Sequence, residues 1–251
     1  MRPWIFFDLD DTLWDFGANS LQSLEHIFYS TSLLRSKFKN CGEFLECYHI
    51  NNAYLWERYN LNEISSDFLR KERWRATLFP ESLNPSDLEI CDKIDCAYLK
   101  FLASRPGTIP GAQNLLGFLK DKYLLGIISN GFPDVQHKKL EASGLSHYFS
   151  RCIVSEEIGI PKPDLRIFQY AISETGSGFP PLMVGDNPDT DIKGALKAGW
   201  NAIWLNTWRD MYDTETIIKD MDGYPGKLIA VVSSLIEITN HLNETKSPRG
   251  G

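Results

Sequence analysis

No run of uncharged apolar residues in the chain approaches the roughly 18 that a membrane-spanning helix needs. No basic-then-apolar leader opens it either, because "MRPWIFF" already runs into Asp8. Paired cysteines are also missing. The five present (Cys41, Cys47, Cys91, Cys96 and Cys152) are odd in number, irregularly spaced and form no CxxC. That pattern argues against a disulfide framework or a zinc knuckle, and for reduced thiols in a cytoplasmic protein. Positive charge is short too: 26 Lys and Arg against 33 Asp and Glu leave a net charge of −7. A nucleic-acid polymer is therefore not an expected partner. A small phosphorylated ligand is compatible with this balance only where positive charge is concentrated locally.

The 251 residues, 43% of them hydrophobic, can bury a substantial core as one large or two smaller domains. Two textures alternate along the chain. "WIFFD", "LLGIIS", "RCIVS", "PLMVGD", "NAIWLN" and "LIAVV" read as buried strands. "GAQNLLGFLKDK", "PDVQHKKLEASG", "PDLRIFQYAISET" and "PDTDIKGALKAG" read as the helices between them. Strands that are apolar throughout, alternating with helices, predict a doubly wound (Rossmann-like) parallel α/β sheet. Residues 17–106 differ, with helical periodicity and almost no strand signal in "SLQSLEHIFYSTSLLRSKF", "FLECYHINNAYLWERYNLN", "SSDFLRKERWRATLF" and "PSDLEICDKIDCAYLKFLA". Ser66 or Asp67, and Ser86 or Asp87, are candidate N-caps there. The predicted organisation is a discontinuous core (1–16 and 107–242), an inserted α-helical bundle (17–106) and a flexible tail (243–251).

Ligands of open α/β sheets bind beyond the carboxyl ends of the strands, and four strand ends here carry polar groups. They are Asp8 with Asp10; Ser129 with Asn130 and Gly131; Lys162 in "SEEIGIPKPD"; and Asp186 with Asp191 in "GDNPDTD". Each has an ordinary reading as well. Asp10 or Asp11 can cap a helix, Asn-Gly can turn a hairpin, and a Lys before Pro is usually solvated. Asn187 followed by Pro188 makes a good N-cap. The ordinary readings do not account for the whole ordered set.

That set resembles the four motifs of the haloacid dehalogenase superfamily, as "DLDDT", "SNG", "KPD" and "GDNPDTD", with the helical insertion resembling its C1-type cap. Within it, "FFDLDDTLWDF", "NNAYLWERYNLNEIS" and "VSEEIGIPKPDLRIF" look most like pyrimidine 5'-nucleotidases. The resemblance implies a phosphatase with Asp8 as nucleophile and Asp10 as general acid and base. It implies Lys162 as the partner of Asp8 and the phosphoryl oxygens, and Ser129 with the amides of Asn130 and Gly131 as phosphate-binding. It also implies Mg²⁺ held by Asp8, the Asp10 carbonyl and Asp186, with Asp191 supporting the metal's waters or Lys162. Asp11 carries no assigned chemistry. The family's dehalogenases lack an acid at the position of Asp10, because halide leaves without a proton.

The expected substrate is a small phosphorylated metabolite, a nucleoside 5'-monophosphate foremost. Other organic or sugar phosphates and a phosphomutase are the alternatives, ahead of a dehalogenase or a non-catalytic binding module. The expected state is a monomer or weak homodimer. Of the cap's large residues, Trp56, Tyr59, Phe68 and Trp74 are expected mostly in the bundle core, with Arg58, Arg70 and Arg73 solvated. Phe16, Gly17 and Asn19 are better placed to meet a substrate.

Overall fold

The computed structural model describes residues 2–61, 63–81, 84–176, 178–207 and 213–244. The chain divides into two compact units, Met1–Phe16 with Pro106–Gly251, and Gly17–Arg105. From residue 245 onward the tail lies outside the described residues.

In the first unit, six short apolar segments form a single parallel sheet. They are β1 (Trp4–Phe7), β2 (Leu124–Ser129), β3 (Arg151–Val154), β4 (Leu182–Gly185), β5 (Asn201–Leu205) and β6 (Leu228–Val232), in the order β3-β2-β1-β4-β5-β6. All four residues of β1 are buried. A parallel pair cannot be joined by a tight hairpin, so each strand leads into a crossover. Those crossovers carry α6 (Ala112–Leu119), α7 (Pro133–Ala142), α8 (Ser155–Ile158) with α9 (Leu165–Thr175), α10 (Lys193–Lys197) and α11 (Thr214–Lys219); α12 (Leu235–Glu244) follows β6. Trp4, Phe6, Phe168 and Trp200 lie in one buried cluster with Ile128 and Met183.

The strand order fixes where a ligand site belongs. From β1 the sheet grows through β2 to β3, and from β4 it grows the other way through β5 to β6. The connections therefore part between β1 and β4, which is the topological switch point where open α/β sheets form a crevice. The Asp8 amide donates to the Val184 carbonyl at 2.9 Å and ties the two strand ends together there.

The second unit contains α1 (Phe16–Ser30), which begins at the unit boundary, α2 (Ser32–Lys37), α3 (Cys41–Asn60), α4 (Ser66–Leu78) and α5 (Pro85–Ala103). The stretch 20–38 is two helices rather than one. Thr31 is extended between them, and the Ser30 hydroxyl donates to the Ile27 carbonyl at 3.3 Å, the local competition by which hydroxyl residues interrupt helices. The N-caps also fall earlier than expected. Ser65 caps α4, accepting from the Phe68 amide, and Asn84 caps α5 because Pro85 fits the first helical position.

Of the four aromatic residues expected in the core, only Trp74 is fully buried, stacked with Phe44, tilted against Tyr48 and edge-on to Tyr98. Trp56 and Tyr59 are half-buried, and Phe68 is exposed. Arg73 is not solvated. Its guanidinium is buried and donates to the buried Asp95 carboxylate, which also accepts from Trp74 Nε1 at 2.8 Å and Arg70 Nε at 3.1 Å. No helix among the described residues is long and apolar enough to cross a membrane.

Candidate active site

β1 ends at Phe7 and delivers Asp8 to the switch point, where the chain turns sharply. Leu13 and Trp14 donate their amides to the Leu9 carbonyl, and Asp11 adopts a left-handed backbone (φ 56°). Asp is one of the few residues that visit this conformation readily, so Asp11 serves the turn. The turn brings Thr12, fully buried, to donate to Asp186 Oδ1 at 3.0 Å. Asp186 follows β4, and its carbonyl accepts from Trp204 Nε1 at 2.8 Å. Asn187 accepts from the amides of Asp189 and Thr190 and starts the helical turn that carries Asp191 inward. Gly185 makes room for that turn, since a Cβ there overlaps the Asp191 carboxylate.

Lys162 is 1% exposed, yet its ammonium is fully used. Nζ donates to Asp8 Oδ1 at 2.6 Å, Asp191 Oδ1 at 2.6 Å and the Ile128 carbonyl at 2.8 Å. Burial alone pulls this ammonium toward neutrality, but the Asp191 and Asp8 carboxylates outweigh it and hold it above the ordinary lysine range. Asp191 uses its second oxygen to accept from the Asn187 amide at 3.1 Å.

Three carboxylates (Asp8, Asp186 and Asp191) place oxygens within 4.8 Å of one another and face the single ammonium of Lys162. The imbalance is visible in their acidity. Burial foremost, opposed by Lys162 and reinforced by Asp191 and Asp10, raises Asp8 to about 8. Burial, then the charges of Asp191, Asp8 and Asp11, lifts Asp186 well above the carboxylate range. An all-oxygen cluster with surplus negative charge suits a hard divalent cation.

Ser129, Asn130 and Asp10 belong to the same unit as this cluster. Ser129 ends β2, buried, with the Gly131 amide 3.4 Å from its Oγ. The Asn130 side chain turns toward the loop of Lys162, donating to its carbonyl at 2.9 Å and accepting from its amide at 2.8 Å. Asp10 is held apart, gripped by Lys139 and Gln136 of α7. The Phe16 ring centroid lies 5.5 Å from Lys139 Nζ within this unit, and Asn19, which belongs to the helical unit, is buried there. Thr12, Gln136 and Lys139 were not singled out from the sequence. The available signal lay in α7, where Gln136 and Lys139 share a buried face with Val135 and Leu140. A polar pair at core positions three residues apart marks a buried polar partner.

Known proteins resemble this chain in sequence and in fold. A family model described as haloacid dehalogenase-like hydrolase matches residues 3–199. Pyrimidine 5'-nucleotidase YjjG of Escherichia coli (strain K12) is 35% identical over 207 residues, covering 81% of this chain and 85% of that protein. A glyceraldehyde 3-phosphate phosphatase of Methanothermobacter thermautotrophicus is 30% identical over 240 residues, covering 93% of this chain and 98% of its own. Among solved structures, the magnesium-bound HAD-hydrolase YfnB of Bacillus subtilis superposes with a TM-score of 0.79 at 25% identity, covering 96% of this chain and 99% of that one.

Proposed function

The chain belongs to the haloacid dehalogenase-like hydrolases, and from that premise we propose that it hydrolyses a phosphomonoester through an aspartyl-phosphate on Asp8. The observation that carries the reading is the convergence of Asp8, Lys162, Asp186 and Asp191 at the switch point, with Asp10 held separately two residues beyond the nucleophile. An anionic nucleophile attacking an anionic phosphoryl group needs positioning and local positive charge, which this otherwise acidic chain concentrates at Lys162.

The Asp8 carboxylate attacks phosphorus while Lys162, bonded to Oδ1, orients it and neutralises charge. The bond from phosphorus to the leaving oxygen breaks as Asp10, entering this step as the protonated acid, gives its proton to that oxygen. Asp10 then takes a proton from water as the water attacks the acyl phosphate, releasing inorganic phosphate and restoring Asp8. Ser129 and the amides of Asn130 and Gly131 receive the phosphoryl oxygens. Asp8, Asp186 and the Asp10 carbonyl would hold Mg²⁺, which when bound would supply electrostatic stabilisation of the transferring phosphoryl group. Asp191 holds Lys162 through its own carboxylate.

Asp10 favours phosphoryl transfer over dehalogenation, because only an alkoxide leaving group needs the proton. A nucleoside 5'-monophosphate is the proposed substrate, supported by the similarity to YjjG across most of both chains. A small sugar phosphate is the second reading, favoured by the match to the glyceraldehyde 3-phosphate phosphatase over 93% of this chain. The test is phosphate release from a panel of nucleoside monophosphates and sugar phosphates, with and without Mg²⁺. Turnover that depends on Mg²⁺ and is fastest on a pyrimidine nucleotide supports the reading. No release from any phosphomonoester sinks it, and equal rates on ribose 5-phosphate and uridine 5'-monophosphate remove the nucleotide preference.

A further inference from the structure

The Asp10 carboxylate takes its hydrogen bonds from α7. Lys139 Nζ donates to Oδ1 at 2.7 Å and to Oδ2 at 2.9 Å, and Gln136 Nε2 donates to Oδ2 at 3.0 Å. Three bonds across both oxygens fix the plane of the carboxylate as well as its place. Both donors lie on one face of the helix, and both are buried, Lys139 at 3% and Gln136 at 0% exposure. The lysine ammonium lies 4.4 Å from the centroid of the Trp14 ring, so the aromatic wall and Asp10 together hold it. Gln136 is itself tied down, because Nε2 also donates to Ser129 Oγ at 2.5 Å. The Gln136 amide is set with its nitrogen toward Asp10 Oδ2 and Ser129 Oγ, while its buried Oε1 accepts no hydrogen bond among the described residues.

A buried ammonium on the core face of a helix costs desolvation that a fold does not need, and a hydrophobic side chain fills such a position more cheaply. The cost is offset here at one carboxylate, Asp10. We infer that Lys139 and Gln136 are positioning residues for the proton carrier. They hold the Asp10 carboxylate in a fixed orientation toward the leaving oxygen, and Gln136 sets it in register with the phosphoryl-binding Ser129. Fixed orientation is what turns a nearby acid into an effective one. The inference rests on the reading of Asp10 as proton carrier and deepens it. Both α7 residues act through Asp10, and no bond to either is made or broken in the reaction.

Leaving-group dependence tests it, because kcat/KM covers the steps up to departure of the leaving group. A p-nitrophenolate leaves without a proton, whereas an alkoxide does not. Lys139→Met keeps the apolar stem beside Trp14 and removes the ammonium. Its expected effect is a loss of about tenfold to hundredfold in kcat/KM on the fastest alkyl phosphomonoester of the panel, and less than about threefold on p-nitrophenyl phosphate. Lys139→Arg restores most of the loss. Lys139→Gln, which removes the charge and leaves Gln136 and Ser129 untouched, shows the same selectivity at smaller size and serves if Lys139→Met does not fold. In an Asp10→Asn background, Lys139→Met costs nothing further. Equal losses on both substrates, or unchanged alkyl-ester turnover, overturn the inference. The two readings fail differently. If Asp10→Asn itself shows no leaving-group selectivity, the proton-carrier reading falls. If Asp10→Asn is selective and Lys139→Met is not, only the positioning role falls.

Discussion

Asn130 and Lys162 close a ring of two hydrogen bonds between the end of β2 and the loop that joins α8 to α9. Asn130 Nδ2 donates to the Lys162 carbonyl at 2.9 Å, and the Lys162 amide donates to Asn130 Oδ1 at 2.8 Å. The middle residue of "SNG" is thus the part that fixes the backbone from which the site's ammonium projects. Asn130→Ala removes both bonds while Asp8 and Asp191 still pull on Nζ. The expected outcome is a fall of about tenfold to hundredfold in kcat, as for other groups that orient a catalytic side chain. Asn130→Asp keeps the acceptor and loses the donor, so steady-state kinetics place it between wild type and alanine.

Gly185 and Asp191 cannot both be kept if the glycine gains a side chain, because its Cβ falls on the Asp191 carboxylate. Gly185→Ala is expected to destabilise the fold by about 1–3 kcal/mol, the usual range for overpacking. It also displaces the partner of Lys162, so activity falls further than the unfolded fraction explains. Chemical denaturation alongside kinetics separates the two effects. Gly131 is constrained in the same way by the Gln136 side chain.

The Arg73–Asp95 pair in the helical unit is buried on both sides, at 3% and 6% side-chain exposure. Asp95→Ala leaves an uncompensated guanidinium in the bundle and is expected to cost about 3–5 kcal/mol. The solvent-exposed Lys93–Glu89 pair is the control, and Glu89→Ala leaves the melting temperature where it was.

Acidity gives a further test. Asp8 is raised to about 8, foremost by burial. Its ordinary value is 3.8, so the metal-free fold keeps a proton that the unfolded chain has released. The stabilisation from that proton is complete below the unfolded value and is lost as pH rises through the folded one. A cation bound by Asp8 and Asp186 as carboxylates supplies the missing positive charge, and its binding releases the proton. Thermal melts with excess Mg²⁺ are therefore expected to show a larger upward shift above about pH 8 than well below it. A shift of equal size at both ends counts against this cluster as the metal site.

Much of this arrangement was legible beforehand, for reasons that are themselves physical. Buried parallel strands must be apolar on both faces, so each of the six reads as a short hydrophobic run, and each polar interruption marks a strand end. That rule located Asp8, Ser129 and Asp186, while Lys162 became conspicuous only with the other motifs. Asn187 with Pro188 was likewise readable as a helix start. Gln136 and Lys139 were hidden because an amphipathic helix with polar residues reads as solvated until its buried face is known. Thr12 was hidden because nothing in a local pattern says that its hydroxyl reaches Asp186, 174 positions away in sequence. Phe68 and Arg73 exchanged their expected environments for a related reason. Helical spacing shows which residues share a face, but a partner such as Asp95 decides whether a charge is buried.

Asp8→Asn tests most directly whether Asp8 is the nucleophile. The substitution preserves shape and keeps an oxygen for Lys162, but removes the carboxylate that attacks phosphorus. Phosphate release from the fastest monoester of the panel, at saturating Mg²⁺, is expected to fall by about 10⁴-fold or more, as when a nucleophile is deleted elsewhere. Turnover within about tenfold of wild type, from protein that melts cooperatively, contradicts the account.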